Sequence, residues 1–322
     1  MKAIQVYEFG GPEVLKYEEV SDPTPGPRQA LVAIEVIGVN FIDIYHRTGD
    51  YKVDTPFTPG IEAAGRVVEI GPEVELFAPG DRVAYCLQRG SYAEKAAVDE
   101  RKLVTIPEDL DLWRACAAMC QGMTAHFLSH DTFPLKSGNV ALIHAAAGGV
   151  GHLLVQMAKL RGATVIGSCS SYEKAELVRK AGADHAVVST KVDFASEVKK
   201  ITRGEGVDVV YDSVGKDTFL RSLDCLKPRG YLVLFGQASG AVEPIDPQVL
   251  NLKGSLFLTR PSLFHYASGE REAAARAETV FDMILSERLE ITLGESFSLK
   301  DSAEAHRRLE GRRTTGKVLL IP

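Results

Sequence analysis

Between residues 140 and 235 short apolar runs alternate with amphipathic stretches, and the first alternation carries a glycine cluster, VALIHAAAGGVGHLLVQMAKL, from Val140 to Leu160. The apolar runs are Val140–Ile143, Ala163–Ile166, Ala186–Val188, Val207–Tyr211 and Tyr231–Phe235. They are short enough to be buried strands. The stretch after the cluster places Val150, Leu153, Leu154, Met157 and Ala158 on one face, the stripe of a helix packed on a sheet. Strands that alternate with such helices predict a doubly wound parallel sheet with right-handed crossovers, so this part of the chain is α/β.

In HAAAGGVG the dinucleotide fingerprint G-x-G-x-x-G is present with Ala146 at its first position and Gly148 and Gly151 at the other two. A glycine without Cβ lets the backbone approach a pyrophosphate, and the third glycine allows close helix–strand packing. The helix that opens here turns free N–H groups and its positive dipole end toward the phosphates. A glycine cluster can also be a plain turn; a strand before it and a helix after it favour the phosphate cradle. An NAD site places Asp or Glu near the end of the second strand. Here that strand runs into IGSCSSYEK, with Ser168, Cys169, Ser170 and Ser171 where the acid would stand. Hydroxyls can donate to a 2′-phosphate, and Lys174 sits in the first turn of a helix, where a cation is unfavourable unless it has a function. NADPH is therefore expected over NADH.

The first hundred residues carry strand signals in KAIQVY, LKYEEV, QALVAIEVIGV, GRVVEIG and DRVAYC, broken by SDPTPGPR and FAPGD. A mostly antiparallel barrel or sandwich follows from them. LWRACAAMCQGMTAHFLS reads as helix, KGSLFLTR as a further strand, Arg271–Leu289 as a long helix, and GKVLLIP as a closing strand. The last elements fall outside the βαβ alternation, so the expected division is a first domain over residues 1–122, a nucleotide domain over 123–262, and a segment, 263–322, that returns to the first domain. With 37 basic and 43 acidic residues the net charge is −6, which argues against a nucleic-acid surface. No apolar run approaches the roughly 20 residues needed to span a bilayer, and the N-terminus reads as a strand rather than a secretory signal. Cys86, Cys116, Cys120, Cys169 and Cys225 form no CxxC pair, as expected of free thiols in a reducing cytoplasm.

GGPEVL, GVNFIDIYHRTG, PGIEAAGRVVEIG, HAAAGGVG, VVYDSVG, SLDCLKPRG, FGQASGAV and LTRPSL, in this order along the whole chain, resemble the quinone oxidoreductases. These are the zeta-crystallin-like, zinc-free branch of the medium-chain dehydrogenase/reductase superfamily. The resemblance implies a GroES-like β-rich catalytic domain, a Rossmann domain, NADPH in a cleft between them, and a homodimer joined edge to edge through the Rossmann sheets. SLFLTR is a plausible edge for such pairing. It puts Asn40, Phe41, Ile42, Asp43, Ile44 and Tyr45 along the nicotinamide, and Thr124, Gly148, Gly149, Val150 and Gly151 along the pyrophosphate. Ser170, Ser171 and Lys174 fall at the 2′-phosphate, and Val214, Phe235, Gly236 and Ser239 along the ribose and nicotinamide wall. Phe264 lies near the cofactor and Arg312 is a late phosphate or backbone contact. Ser189 stands where the family often has Tyr beside the 2′-phosphate, which weakens the NADPH preference without reversing it. Zinc-dependent relatives carry Cys at the position of Asn40 and His at that of Ile61. Asp43, Glu62 and Cys120 are the other possible donors in these segments; one thiolate does not hold zinc, so no metal is expected.

A quinone that accepts hydride develops negative charge on oxygen and needs a donor. Tyr45, Tyr51 and Arg260 are the expected catalytic residues: a phenol stays protonated at neutral pH, and Pro261 stiffens the loop that carries the guanidinium. Against these stand structural readings: a core aromatic for Tyr45, a loop residue for Tyr51, a salt bridge for Arg260. His46 and His144 are not expected to act in catalysis, and Asp43 reads as a positioning group. An NADPH-dependent enal or enone reductase is the alternative activity. A non-catalytic NADPH-binding or RNA-binding role, as zeta-crystallin relatives can show, is the weaker one.

Overall fold

The structure, a computed structural model, describes residues 1–269 and 271–322. It divides into two compact units, one of Met1–Met123 with Tyr266–Pro322 and one of Thr124–His265.

The first unit begins with a hairpin of β1 (Lys2–Gln5) and β2 (Lys16–Glu19). β3 (Gln29–Gly38) follows, with Val32, Ile34 and Ile37 buried, then helix α1 (Phe41–Thr48), which the sequence reading passed over. β4 (Glu62–Ile70), β5 (Arg82–Cys86), β6 (Lys95–Asp99) and β7 (Leu103–Thr105) continue the sheet. The last two had no clear signal because their alternation is short. Helix α2 (Leu112–Phe127) leaves the unit.

In the second unit β8 (Val140–Ile143), α3 (Gly149–Leu160), β9 (Thr164–Cys169), α4 (Tyr172–Lys180), β10 (His185–Val188), α5 (Phe194–Ile201) and β11 (Val207–Asp212) alternate strictly. They are followed by α6 (Phe219–Leu223), β12 (Leu226–Leu234), α7 (Gln248–Leu252) and β13 (Phe257–Thr259). All six strands are parallel, in the order β10-β9-β8-β11-β12-β13. This is the doubly wound order 3-2-1-4-5-6, which reverses between β8 and β11, and ligands bind at that reversal outside the carboxyl ends of the strands. Leu142, Ile166, Val210 and Leu232 fill its core. KGSLFLTR yields a strand of only three residues, because Gly254 and Ser255 both adopt positive φ, +117° and +56°.

The chain then re-enters the first unit. Helix α8 (Glu272–Leu285) is shorter than the pattern Arg271–Leu289 suggested. β14 (Leu293–Ser298), α9 (Ser302–Glu310) and β15 (Lys317–Ile321) complete a sheet ordered β14-β15-β3-β4-β5-β7, with β6 also paired to β3. Pairing in it is antiparallel except for β14 with β15. Ile4, Val32, Val67, Val83, Tyr85, Val98 and Leu320 form its core.

The register of β3 on β4 shifts twice, and Gly65 faces Ile34 at one shift. A Cβ on Gly65 would lie 2.0 Å from the Ala33 carbonyl oxygen, so the two backbones approach as closely as only glycine allows. Gly65→Ala is expected to lower unfolding stability by about 1–3 kcal/mol, measured by urea denaturation. A midpoint equal to wild type would show that the shift accommodates a methyl group.

Candidate active site

α1 is preceded by Asn40, in extended conformation, and closed by Gly49 at φ +83°. The Asn40 N–H donates to Asp43 Oδ2 (2.8 Å). Asn40 itself is buried, with both ends of its carboxamide engaged. Its Oδ1 accepts from Lys317 Nζ (2.9 Å), and its Nδ2 donates to Glu62 Oε2 (2.8 Å). Lys317 and Glu62 pair directly, with side-chain exposures of 1% and 0%, and the Cys120 N–H donates to Glu62 Oε1 (2.5 Å). Burial would drive Lys317 toward its neutral form, but the paired Glu62 carboxylate more than offsets it, so its pKa is raised and the ammonium persists.

A second chain of hydrogen bonds grips the rest of α1. Arg47 is buried, pairs through Nη2 with Glu310 Oε1 (2.6 Å), and approaches His306 Nδ1 through Nη1 (3.1 Å). A guanidinium can only donate, so His306 Nδ1 accepts and its proton sits on Nε2. Nε2 then donates to the Tyr92 hydroxyl (3.0 Å), which donates to Asp43 Oδ2 (3.1 Å). Burial, with Arg47 beside it, holds His306 neutral with a pKa of about 3. Asp43 is pushed up to about 7, first by burial, against the opposing hydrogen bonds from Asn40 and Tyr92. Its Oδ1 has no partner among the described residues and is the atom available to carry that proton.

On the other face of α1 the rings of Tyr45 and Tyr51 lie 5.1 Å apart, and His46 approaches Tyr51 edge-on at 6.2 Å. Tyr45 is buried and Tyr51 more exposed, and the Tyr51 N–H donates to the Tyr45 carbonyl (3.0 Å). Phe41 and Ile42 are half-buried, and Ile44 is buried. His46 stays neutral, its pKa lowered to about 4 by burial and by Arg89.

In the second unit the glycine loop follows β8. The first helical bond of α3 is His152 N–H to the Gly148 carbonyl (2.8 Å), so the amides of Gly149, Val150 and Gly151 precede the helical ladder. A Cβ on Gly151 would sit 2.3 Å from the Ala145 oxygen, whereas Gly148 has only one neighbour, at 3.2 Å. Gly151 therefore serves packing, and Gly148 keeps the approach open. Ala146 fills the first fingerprint position because Gly167 on β9 leaves room for its methyl group: a Cβ there would lie 2.9 Å from that of Ala146.

Parallel pairing of β9 with β10 brings Ser170, Ser171, Lys174 and Ser189 to one end of the sheet. The Ser171 hydroxyl caps α4 by accepting the Lys174 N–H (3.3 Å), and Ser189 Oγ donates to the Cys169 carbonyl (3.1 Å). Across the reversal, Asp212 accepts the Val214 and Gly215 N–H groups at 2.8 and 3.1 Å. Ser239 Oγ donates to the Val214 carbonyl (2.8 Å). Phe235 and Gly236 are half-buried beside this turn, and Arg260 Nη1 donates to the Leu234 carbonyl (3.0 Å) at its base. Thr124 is half-buried at the start of the unit, and Phe264 is exposed near its end. Arg312 lies in the first unit after α9, at φ +55°. His144 is buried between Ser168 Oγ (2.8 Å) and Ser222 Oγ (2.9 Å), a structural position.

Residues 26–108 match the family described as alcohol dehydrogenase GroES-like domain, and residues 149–284 that described as zinc-binding dehydrogenase. A quinone oxidoreductase of Pseudomonas aeruginosa is 44% identical over all of this chain and 99% of its own. The chain belongs to the quinone oxidoreductase family. The Escherichia coli quinone oxidoreductase complexed with NADPH superposes with a TM-score of 0.98 at 39% identity, covering all of both chains. A 2-haloacrylate reductase of Burkholderia sp is also 44% identical, over 99% of this chain and 98% of its own. GroES-like and Rossmann-type domains are thus the architecture of this quinone oxidoreductase homologue.

The zinc implied by the second family description does not fit here. The polar groups that converge at Asn40 and Glu62 already enclose a cation, the Lys317 ammonium, and Cys120 reaches Glu62 through its amide. Lys317, Tyr92, Arg47, His306 and Glu310 carry no mark in the sequence that points to this site, and Glu62, which the sequence offers as a possible metal donor, is instead the partner of Lys317. The nearest approach to a signal is a lysine opening the apolar strand KVLLIP and a glutamate among small residues in PGIEAAG.

Asp43 generates a pH test. Its folded pKa of about 7 lies above the unfolded value of about 3.9, so its contribution is fully present below pH 4 and is lost as pH rises toward 7. The full swing is roughly 4 kcal/mol. In urea denaturation between pH 5 and 8, wild type is expected to lose stability relative to Asp43→Asn; parallel profiles would show that Asp43 does not titrate there.

Proposed function

We propose that the protein transfers a hydride from NADPH to a quinone. Full-length relationship to a quinone oxidoreductase with bound NADPH carries the reading. The free amides at the start of α3 suit a pyrophosphate, and the Ser170, Ser171, Lys174 and Ser189 end of the sheet offers hydroxyls and a cation to a 2′-phosphate. Val214, Phe235, Gly236 and Ser239 follow the ribose and nicotinamide, with Phe264 and Arg312 as outer contacts.

NADPH, when bound, supplies the hydride. The quinone oxygen that gains negative charge takes a hydrogen bond, and then a proton, from the Tyr45 hydroxyl, with Tyr51 packed beside it as a second phenol. Arg260 adds positive charge from the loop after β13, where its bond to the Leu234 carbonyl restrains it. Asn40 and Asp43 are buried and bonded at the start of α1, and we assign them to shaping the nicotinamide side rather than to proton transfer.

β13 ends the parallel sheet, and Phe257 and Leu258 on it are exposed, which supports a homodimer paired through this edge. No helix among the described residues is long and apolar enough to cross a membrane. We place the protein in the cytoplasm, where five unpaired cysteines stay reduced.

NADPH absorbance followed with 1,4-benzoquinone and with 2-chloroacrylate in parallel tests the acceptor. Consumption with the quinone is expected; consumption only with the acrylate moves the assignment to alkene reduction, as the Burkholderia relative's name allows. Tyr45→Phe is expected to lower kcat/KM for quinone by about 100-fold or more, the range for a lost proton donor, and an unchanged value removes Tyr45 from the mechanism. Lys174→Ala should weaken NADPH binding about 10- to 100-fold, the loss of one charge-assisted hydrogen bond, and leave NADH unaffected. Equal losses for both cofactors would place Lys174 away from the 2′-phosphate.

A further inference from the structure

We propose that Lys317 is a positioning residue for the reduction: acting through Asn40, its ammonium fixes where α1 begins and therefore where Tyr45 stands. The inference rests on the hydride-transfer reading above.

An ammonium only donates and a carboxylate only accepts, so Lys317 and Glu62 together permit one orientation of the Asn40 carboxamide, Oδ1 to the lysine and Nδ2 to the glutamate. Asn40 is the residue from which α1 starts, and its own N–H and carbonyl bond to Asp43 in the first turn. Lys317 is itself held rigidly. It opens β15, whose Leu319 and Leu320 pair with Gly38 and Ile37, and the Val39 N–H donates to the Val318 carbonyl (3.0 Å). The backbone makes room for this arrangement: a Cβ on Gly38 would lie 2.0 Å from Glu62 Oε2 and 2.7 Å from Lys317 Cε. Glycine at 38 leaves the space that the ion pair occupies, two residues before Asn40. A charge that merely neutralised Glu62 would not need the second bond to Asn40.

Lys317→Met alone strands a buried carboxylate and can unfold the chain, so the decisive variant is Lys317→Met with Glu62→Gln, which removes both charges. Its thermal transition, the hydrogen exchange of the α1 amides by mass spectrometry, and steady-state kinetics are compared with wild type. Expected are a retained cooperative transition, α1 exchange faster by about 10-fold or more, and kcat lower by about 10-fold with the Kd for NADPH nearly unchanged. In an Asn40→Ala background the same pair of changes should add no further loss, because the route through Asn40 is already cut. Wild-type kcat, unchanged α1 exchange, or full additivity with Asn40→Ala would each overturn the proposal. If the double variant does not fold, Asn40→Ala alone decides, since it keeps the ion pair: unchanged α1 exchange overturns the proposal and faster exchange supports it. Wild-type protein that reduces no acceptor would remove the hydride-transfer reading instead, and the exchange result would still decide whether Lys317 sets the start of α1.

Discussion

A lysine and a glutamate with almost no solvent exposure meet inside the first unit, and burying either alone would be prohibitive. Removing one partner of such a pair typically costs about 3–5 kcal/mol, because the other is left charged and unsolvated. The pair therefore has to form whenever this unit folds, and its surroundings are shaped to it. Gly38 yields the space, the Cys120 amide satisfies the second carboxylate oxygen, and Asn40 takes up the remaining donor and acceptor. The helix that carries Tyr45 starts from that asparagine.

The same helix is held along its length by the Asp43–Tyr92–His306–Arg47–Glu310 chain, in which donation runs outward from the Arg47 guanidinium to a carboxylate at each end, directly to Glu310 and through His306 and Tyr92 to Asp43. Lys317, His306 and Glu310 all come from the last elements of the chain. This gives a physical reason for the chain to return to its first unit after the nucleotide-binding sheet: the C-terminal segment supplies the charged and polar groups that secure α1. The second unit uses different means. Its features are backbone amides, hydroxyls and one lysine at the carboxyl ends of parallel strands, a donor set built on dipoles rather than on buried ion pairs.

Legibility in the sequence followed the range of the interactions involved. The parallel sheet was readable because its apolar runs and helical stripes are local patterns, and the glycine loop because it joins one strand to one helix. The family was readable from motifs such as GVNFID and LTRPSL in order along the chain. Strands β6, β7 and β14 were not, since they are short and owe their existence to neighbours far away in sequence. Helix α1 escaped for a related reason: its first turn is secured by Lys317, more than 270 residues away. Ser171, which the residue pattern offered as a phosphate donor, also caps α4, a role that only the backbone geometry reveals.

By itself the sequence determined the two kinds of domain and the glycine loop that joins β8 to α3, because periodicity and glycine spacing act over a few residues. Only the tertiary structure decided which charges are buried together. A lysine in KVLLIP and a glutamate in PGIEAAG look like ordinary charged residues until β15 lies against β3 and β3 against β4. Their meaning comes from a low-dielectric meeting point, and such a point exists only once the sheet has formed.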